Sequence, residues 1–393
     1  MNVVFLTHEY PPFIFGGIGG FVKNLAVGLS RFGANVTVVS GFPVLHSAKG
    51  FSRAVEDGVT VLRFPYPNMP PHHVVFQLAN LKNLHRVMKE EAPDVIHGQS
   101  GSAFPALLSL REYAPFVVTF HASPLMEKVT STQSILRGGS LRDLWTYVIG
   151  YPSESFVYKK EFQRSDLSVA VSSTLKSELL AEMGQEYCDK TRFIYNGVDL
   201  EKLDKEYEHA KNSVGEEEDA ILFAGRLYWR KGALNIIEMA YLLQKQNSKY
   251  KILVHGAGPL FNKMKSRIKS LRLRNIELMG FTTRAHLMMS MSLCKFVAVP
   301  SAYEACPMAL LDGMCLGKIP LMLNFPFAAE LSEGGKYALI ANDMESLTRK
   351  LVALRDSCDL SSFSDVIRGF ARKRYDVSET AKKYRQIYNE FCQ

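Results

Sequence analysis

The chain has 393 residues, of which 47% are hydrophobic and 22% charged, and its formal net charge is +8. This length exceeds one ordinary hydrophobic core, so we expect about two domains, and the composition is that of a globular protein. No uninterrupted apolar run reaches the roughly 18 residues needed to span a bilayer. The six cysteines have no CxxC spacing, which argues against a disulfide framework and a zinc site. The positive charge favours an anionic partner.

Apolar runs and helical periodicity alternate along the chain. The first run, residues 2–7, is followed by the glycine-rich stretch PPFIFGGIGGF and then by apolar residues at helical spacing up to Phe32. Such alternation is typical of a parallel sheet that is covered by helices on both faces. Further strands are predicted at 34–41, 59–64, 93–98, 115–121 and 166–172, with helices at 76–91 and from about Thr174.

Two stretches interrupt this alternation. Residues 122–150 are polar and suggest an excursion at the functional edge of the first sheet. Residues 199–218 are charged and poor in apolar side chains, so we expect a linker region there. The alternation then restarts, which predicts a second α/β unit of similar size. Its strands are predicted at 220–225, 250–256, 275–281, 295–301 and 318–323, and a helical pattern is predicted from about 363 to 392.

Four glycines within five residues separate the first strand from the first helix, a position where backbone often approaches a phosphate. A dinucleotide-binding motif does not fit, because Val22 follows Gly17 and Gly19 where a third glycine is needed. The second strand also ends in Ser40 and Gly41 instead of an acid. No G-K-[ST] follows the glycines, so a Walker A loop does not fit either.

The second unit carries cations and carboxylates at the ends of predicted strands. Arg226 and Lys231 follow the first of these strands, where two cations can clamp a diphosphate, although two surface cations would look the same. Glu304 and Asp312 lie eight residues apart around a strand-to-helix turn. If a helix begins near Pro307, both carboxylates can face one ligand at different depths. Taken singly, each carboxylate would more simply be a cap or a solvated group.

Seven motifs in a fixed order carry a family resemblance: EYPPFIFGGIGG, DVIHGQS, TFHAS, IYNGVD, GRLYWRKG, GAGP and PSAYEACPMALLDGMCLGKIP. The sequence resembles the family 4 glycosyltransferases, which are retaining enzymes of the two-domain GT-B fold. The resemblance implies an α/β architecture of two Rossmann-like domains whose parallel sheets face each other across a cleft. We expect an acceptor-binding domain at 1–200, a nucleotide-sugar donor domain at 201–372, and a C-terminal helix at 373–393 that packs back on the N-terminal domain.

The resemblance also implies roles for individual residues. His121 is expected to face the donor sugar, Arg226 and Lys231 to bind the diphosphate, and Glu304 to hold the sugar hydroxyls, and these four form the expected catalytic set. Asp312 stands where the family has a second glutamate for the nucleotide ribose, and it is one methylene shorter. The expected donor-binding residues are Gly16, Gly17, Arg226, Lys231, Gly256, Gly258, Phe281, Glu304, Met308, Ala309 and Asp312.

By the same resemblance, we expect transfer of a hexosyl unit with retention, by front-face attack, to a sugar or lipid-linked acceptor. A UDP-sugar is slightly preferred to GDP-mannose as donor, and Trp145 and Tyr147 are candidate acceptor contacts. No D-x-D element occurs in the chain, so we predict that the enzyme needs neither a metal nor another cofactor. A nucleotide-sugar epimerase or a phosphorylase of the same fold remains an alternative. So does a non-catalytic nucleotide-sugar-binding protein.

The positive net charge alone does not decide which anionic molecule or surface the protein binds. The first strand begins without a basic segment before it, so no signal peptide is predicted and a cytoplasmic location is expected. No nucleic-acid-binding module is recognised, and nucleic acid is not an expected partner. A predicted helix carries a basic run without acids, which is either a solvated face or a peripheral contact with an anionic membrane. The run consists of Lys263, Lys265, Arg267, Lys269, Arg272 and Arg274.

Overall fold

The chain divides into two compact units in a computed structural model. Unit 1 combines Met1–Gly197 with Val377–Gln393, and unit 2 is Val198–Asp376. Within the described part of the chain, no helix combines the length and apolarity that crossing a bilayer requires. The described residues are 1–14, 16–44, 51–69, 72–101, 103–136, 148, 150–215, 217–357 and 359–392.

Unit 1 is built on an eight-stranded sheet in the order β3-β4-β2-β1-β5-β6-β7-β8. Every neighbouring pair is parallel except β3 and β4. The central strands are buried along their whole length, as expected for a sheet with helices on both faces. The strands are β1 (Asn2–Leu6), β2 (Asn35–Val44), β3 (Ser52–Glu56), β4 (Val59–Pro67), β5 (Val95–Gln99), β6 (Phe116–Phe120), β7 (Leu167–Ala170) and β8 (Thr191–Phe193).

Six helices of unit 1 connect these strands within the described residues. The first of them buries Phe21, Val22, Leu25 and Leu29 at helical spacing, which confirms the predicted apolar stripe. The edge strand β3 was not predicted, and it forms a hairpin with β4. The helices are α1 (Ile18–Arg31), α2 (His72–Glu91), α3 (Phe104–Ser109), α4 (Pro124–Leu136), α5 (Tyr151–Arg164) and α6 (Ser173–Met183).

Unit 2 is built on a six-stranded, fully parallel sheet in the order β11-β10-β9-β12-β13-β14. Its strands are β9 (Glu218–Ala224), β10 (Lys251–His255), β11 (Ile276–Gly280), β12 (Cys294–Val299), β13 (Ile319–Leu323) and β14 (Leu339–Ala341). Its helices are α7 (Leu200–Lys211), α8 (Ala233–Lys245), α9 (Phe261–Ser270), α10 (Arg284–Leu293), α11 (Met308–Cys315), α12 (Ala328–Leu331), α13 (Met344–Ser357) and α14 (Leu360–Tyr375).

The linker region that we expected at 199–218 is largely helical. Asp199 caps α7, because its carboxylate accepts a hydrogen bond from the Lys202 amide. Of the α7 side chains only Leu203 and Ala210 are buried, so the helix has a narrow apolar face that the composition of this stretch conceals. The expectation of a linker was wrong for residues 200–211.

The chain ends in helix α15 (Val377–Asn389), which belongs to unit 1. The Tyr388 hydroxyl lies 2.5 Å from His97 Nδ1, and the Tyr384 hydroxyl lies 2.9 Å from Thr119 Oγ1. His97 is fully buried and also reaches Thr119 Oγ1 over 2.7 Å. This histidine therefore ties α15 to the centre of the unit 1 sheet.

Candidate active site

The topology of unit 2 marks one place on its sheet where a ligand is expected. From β9 the chain runs outward to β10 and β11, and it then returns to form β12 on the other side of β9. Ligands of open α/β sheets bind outside the carboxyl ends of the strands at such a switch point. The loops that follow β9 and β12 therefore define the candidate site.

A lysine from one loop and a glutamate from the other meet at this switch point. Lys231 Nζ donates to both carboxylate oxygens of Glu304, over 2.8 and 2.7 Å, and the Ser301 hydroxyl donates to Oε1 over 2.8 Å. The Glu304 side chain is only 8% exposed and that of Lys231 is 24% exposed. Burial lowers the pKa of Lys231, while the negative charge of Glu304 opposes that shift. A charged hydrogen-bonding group is thus preorganised at the carboxyl edge of the sheet.

Close contact between the two loops fixes this lysine. Lys231 ends a short 3₁₀ turn, and Gly232 follows with a φ of +73°. A Cβ atom at Gly232 would lie 1.9 Å from the Pro300 carbonyl oxygen, so only glycine allows this approach. The Ala302 amide donates to the Arg230 carbonyl over 2.8 Å, which adds a backbone link between the loops.

Arg226 lies on the same loop and is exposed. Its guanidinium carbon lies 5.6 Å from the centroid of the Tyr228 ring, and its charge contributes to the lowered pKa of Lys231. The loop after β10 packs against this segment through Gly256 and Gly258, because a Cβ atom there would lie 1.9 Å from the Gly225 carbonyl oxygen or 2.6 Å from that of Leu227. The two predicted glycines therefore shape the loop that carries Arg226.

The expected helix after Glu304 begins as predicted. It is α11, whose first two residues are the half-buried Met308 and Ala309, and Asp312 lies in its second turn. The Asp312 side chain is buried, and one of its oxygens accepts a short hydrogen bond from Arg284 Nη1. Phe281, just after β11, is 81% exposed.

Arg284 is a contact that the sequence did not reveal. It stands at the start of α10, where Thr283 is the N-cap residue, and its Nε donates to Glu206 Oε2 of α7 over 2.8 Å. The guanidinium thus bridges Asp312 and Glu206, and the two carboxylates raise the pKa of Arg284 against the opposing effect of its burial. Asp312 is therefore held in an ion pair within unit 2.

In unit 1, the glycine loop is held by a carboxylate that sequence reasoning missed. The Gly16 amide donates to Glu9 Oε2 over 2.8 Å, and the Gly19 amide donates to Oε1 over 2.9 Å. Glu9 is 2% exposed, and Gly17 is the N-cap residue of α1. The amide of Gly16 therefore has an anionic partner within the chain itself.

His121 follows β6 and is half-buried. Its Nε2 lies 2.8 Å from the Gln99 amide oxygen, and its ring packs edge-on against Phe21 with the centroids 4.9 Å apart. Burial lowers the pKa of His121 to about 3, so the imidazole is neutral at physiological pH. Because the amide oxygen accepts, we assign the proton to Nε2. Trp145 and Tyr147 lie outside the described residues.

Across the residues that the structure describes, no group of three or more His, Cys, Asp or Glu side chains could hold a metal ion. The charged groups described in the candidate site are those of Arg226, Arg230, Lys231, Glu304, Arg284, Asp312 and Glu206.

Two family models match the chain. The model described as Glycosyltransferase Family 4 matches residues 15–202, and the model described as Glycosyl transferases group 1 matches residues 204–358. An uncharacterized glycosyltransferase of Methanocaldococcus jannaschii is 24% identical over 359 residues, which cover 88% of this chain and 84% of that protein.

Solved structures resemble the fold over its whole length. Sucrose-phosphate synthase from Thermosynechococcus elongatus superposes with a TM-score of 0.78 at 16% identity, covering 99% of this chain and 98% of that one. The Anabaena protein HepE in complex with UDP-glucose superposes with a TM-score of 0.69 at 17% identity, covering 99% of this chain and 100% of that one.

Two parallel-sheet α/β units on one chain, together with these neighbours, define the GT-B fold, and the class of the protein is glycosyltransferase. The expected fold and the expected enzyme class are confirmed. The chain belongs to the family 4 glycosyltransferases, since the two family models match its two halves in sequence.

Proposed function

We propose that this enzyme transfers a hexosyl unit from a nucleoside-diphosphate sugar to a sugar or lipid-linked acceptor. The observation that carries the proposal is the Lys231–Glu304 pair at the β9/β12 switch point. An ammonium group has three N–H donors, so Lys231 can keep Glu304 and still donate to a phosphate oxygen. Arg226 on the same loop supplies a second cation for the departing diphosphate.

The other groups of unit 2 have complementary roles in the proposal. Glu304 orients the donor sugar through its hydroxyls, and the amides at the start of α11, at Met308 and Ala309, face the diphosphate. Asp312 accepts from the ribose through the oxygen that Arg284 does not bind. Gly256 and Gly258 allow the donor to approach the backbone, and Phe281 offers an exposed ring to it. The Gly16 amide would have to exchange Glu9 for a phosphate, so a diphosphate contact at Gly16 and Gly17 stays a prediction.

We propose that the reaction retains the anomeric configuration by front-face attack, with the leaving phosphate oxygen taking the acceptor proton. A double displacement needs a carboxylate nucleophile at the anomeric carbon. Glu304 is bonded to Lys231 and Ser301, which suits it to orientation and not to attack. The neutral His121 would act near the anomeric carbon as a hydrogen-bonding group. The cations of the donor site would supply the charge that a metal supplies elsewhere, so we propose a metal-independent reaction.

We propose a UDP-sugar as the preferred donor and GDP-mannose as its main competitor. The complex of HepE with UDP-glucose supports this choice at the level of the fold only. The first experiment is thermal denaturation with UDP, GDP or ADP in the presence of EDTA. A ligand at 100 times its dissociation constant should add about 2.7 kcal/mol to the unfolding free energy. A shift with UDP alone supports the donor and metal-free binding. No shift with any of the three would refute the proposed donor site.

Turnover tests the roles of the two cations. Lys231→Ala or Arg226→Ala should lower turnover about 10²–10³-fold, the range for losing one preorganised charge. Lys245→Ala is the control, because Lys245 is an exposed lysine at the C-terminal end of α8, about 18 Å along the helix axis from its first residue at about 1.5 Å per residue. Near-native turnover in either variant would remove that residue from the mechanism. The anomeric configuration of the product, read by NMR, tests retention.

We also propose a cytoplasmic enzyme that touches an anionic membrane through α9 and the segment after it. Lys263, Lys265, Arg267 and Lys269 are exposed on the helix, and Arg272 and Arg274 follow it, also exposed. Basic residues near an anionic surface contribute about 1 kcal/mol each. Flotation with phosphatidylglycerol vesicles, but not with phosphatidylcholine vesicles, is the expected result. Equal flotation with both kinds of vesicle, or flotation with neither, would contradict the proposed contact with an anionic membrane.

A further inference from the structure

The sheet of unit 1 has a switch point of its own. From β1 the chain runs to β2 on one side, and after α2 it returns to form β5 on the other side of β1. The loops after β1 and β5 therefore flank a second position where a ligand is expected. The loop after β1 also carries Gly16 and Gly17, whose contact with the donor diphosphate is a separate prediction.

Four side chains meet at this position, and we call them the β1/β5 edge cluster: His8, His73, Ser100 and Tyr158. The Ser100 hydroxyl donates to the Tyr158 hydroxyl over 3.3 Å, and the ring centroids of His8 and His73 are 5.8 Å apart. Gly101 lies between the two halves of the cluster, because a Cβ atom there would be 3.5 Å from Tyr158 Cε2 and 3.9 Å from His73 Nε2. His8, His73 and Tyr158 are each partly exposed, so the cluster is accessible to a ligand.

Two buried carboxyl groups hold the loops that carry the cluster. Glu161 accepts from the amides of Gly101 and Ala103, each over 2.8 Å, just as Glu9 accepts from two amides of the glycine loop. Glu161 is 0% exposed and Glu9 is 2% exposed. Both carboxyls are engaged below the surface, so they fix the loops and present no carboxylate to a ligand.

The cluster presents neutral hydrogen-bonding groups. Burial lowers the pKa of both His8 and His73 to about 4, so both imidazoles are uncharged at neutral pH. A neutral imidazole has one donor and one acceptor nitrogen, and a tyrosine hydroxyl such as that of Tyr158 also donates and accepts. The buried Ser100 hydroxyl donates to Tyr158 and accepts from the His121 amide over 3.3 Å, so it positions Tyr158. A sugar hydroxyl both donates and accepts hydrogen bonds, so it needs partners of both kinds. A phosphate or carboxylate needs charged donors, and desolvating it against neutral groups is costly.

We propose that the β1/β5 edge cluster binds the acceptor through the hydroxyls of an uncharged sugar ring. The acceptor ring then carries neither a phosphate nor a carboxylate, although a charged group elsewhere on a lipid-linked acceptor is compatible. This inference rests on the proposed function, because it specifies the acceptor of that reaction. It also assigns His8 and His73 to specificity for the acceptor and not to donor binding.

Turnover is measured with the donor that the thermal experiment selects. The acceptors are the para-nitrophenyl glucosides, mannosides and galactosides, compared with the 6-phosphates and uronates of the same sugars. We expect the neutral acceptors to be used about tenfold or more better in kcat/KM, the cost of pairing an anion with neutral donors. His73→Leu and Tyr158→Phe should raise the KM for the neutral acceptor about three- to tenfold, the value of one hydrogen bond. Donor KM and slow donor hydrolysis without acceptor should not change.

The matched control is His85→Leu. His85 lies on α2 as His73 does, about 18 Å further along the helix axis at about 1.5 Å per residue. It contacts the Tyr113 hydroxyl over 3.0 Å and is no part of the cluster. Its replacement should leave the acceptor KM unchanged. Equal losses in the His73 and His85 variants would mean that the effect is a general destabilisation, and the assignment would fall.

A binding measurement keeps the inference separate from the proposed function. Ring signals of ¹³C-labelled histidine are recorded while methyl α-glucoside, methyl α-mannoside or glucose 6-phosphate is added. Shifts of the His8 and His73 signals with a neutral glycoside support the inference even if no nucleotide sugar is turned over. Stronger shifts with the phosphate, or none with any of the three, overturn it. Donor turnover with unshifted histidine signals would overturn it while the proposed function stands.

Discussion

Replacing Lys231 by methionine should destabilise unit 2, because it leaves the buried carboxylate of Glu304 without its cation. Breaking a buried ion pair from one side costs about 3–5 kcal/mol. Glu304 keeps the Ser301 hydroxyl, and the lysine is 24% exposed, so we expect the lower end, about 3 kcal/mol. Glu304→Gln should cost less, about 1–2 kcal/mol, since the freed ammonium can turn towards water.

The double variant separates stability from function. With methionine and glutamine together no buried charge is left, so the double variant should be more stable than Lys231→Met alone by about 1–2 kcal/mol. If the pair acts on the donor, turnover stays low in all three variants even though the double variant regains stability. A merely structural ion pair would instead restore activity along with stability.

Urea unfolding can be followed in unit 2 alone. The chain has two tryptophans, and Trp229 lies in the same short turn as Lys231, so a Trp145→Phe background makes Trp229 fluorescence the reporter. Lys251→Met is the control, because its ion pair with Glu218 is exposed on both sides and its loss should leave the midpoint unchanged. Strictly additive single variants, or a stable Lys231→Met, would refute the reasoning.

Three further outcomes follow from the contacts described above. Gly256→Ala should lower the stability of unit 2 by about 3 kcal/mol or more in the same urea assay, because its Cβ would lie 1.9 Å from a carbonyl oxygen. Gly280→Ala is the control: Gly280 has a φ of +71° but open space around it, so the change should cost about 1 kcal/mol. Burial lowers the pKa of His97 to about 3, against about 6.5 in the unfolded chain, so the unfolded state takes up the proton first as the pH falls. The free energy of unfolding should therefore decrease as the pH falls below 6.5. His97→Gln should reduce the slope of this free energy against pH by up to about 1.4 kcal/mol per pH unit, measured by urea unfolding between pH 7 and 5. An equal slope in both proteins would contradict the role of His97. Glu9→Ala should speed hydrogen exchange at the Gly16 amide about tenfold or more, and unchanged protection there would remove Glu9 as the group that holds the loop.

The positions of most strands along the chain and the helix after Glu304 were readable from the sequence, because both depend on local patterns. The order of the strands within each sheet and the short strands β8 and β14 were not predicted. Apolar runs marked the buried parallel strands, and Pro307 marked the start of α11. The β3–β4 hairpin also had a local signal that we overlooked. Asp57 and Gly58 connect the two strands with φ angles of +52° and +80°, and an Asp-Gly pair is a strong hairpin signal.

The contacts that shape the candidate site were not readable in this way, because they join residues far apart in the chain. Arg284 lies 28 residues from Asp312, and the two meet only after β12 has crossed to the other side of β9. Nothing in the local sequence of an arginine says which carboxylate it will bind. Glu9 is closer in the chain to Gly16 and Gly19, but no local pattern in the sequence indicates that a glutamate there accepts hydrogen bonds from these amides.

The two switch points differ in charge, and in the proposed reaction this difference would direct the donor to unit 2 and the acceptor to unit 1. The unit 2 edge carries Lys231, Glu304 and Arg226, which suit a charged diphosphate. The unit 1 edge carries neutral imidazoles and hydroxyls at the corresponding place in its sheet. A cation in the β1/β5 edge cluster would attract the diphosphate, whereas neutral groups can bind a sugar acceptor without adding a charged site for the donor beside the predicted amide contacts of Gly16 and Gly17. Specificity of this kind comes from the difference between two affinities and does not require tight binding of either substrate.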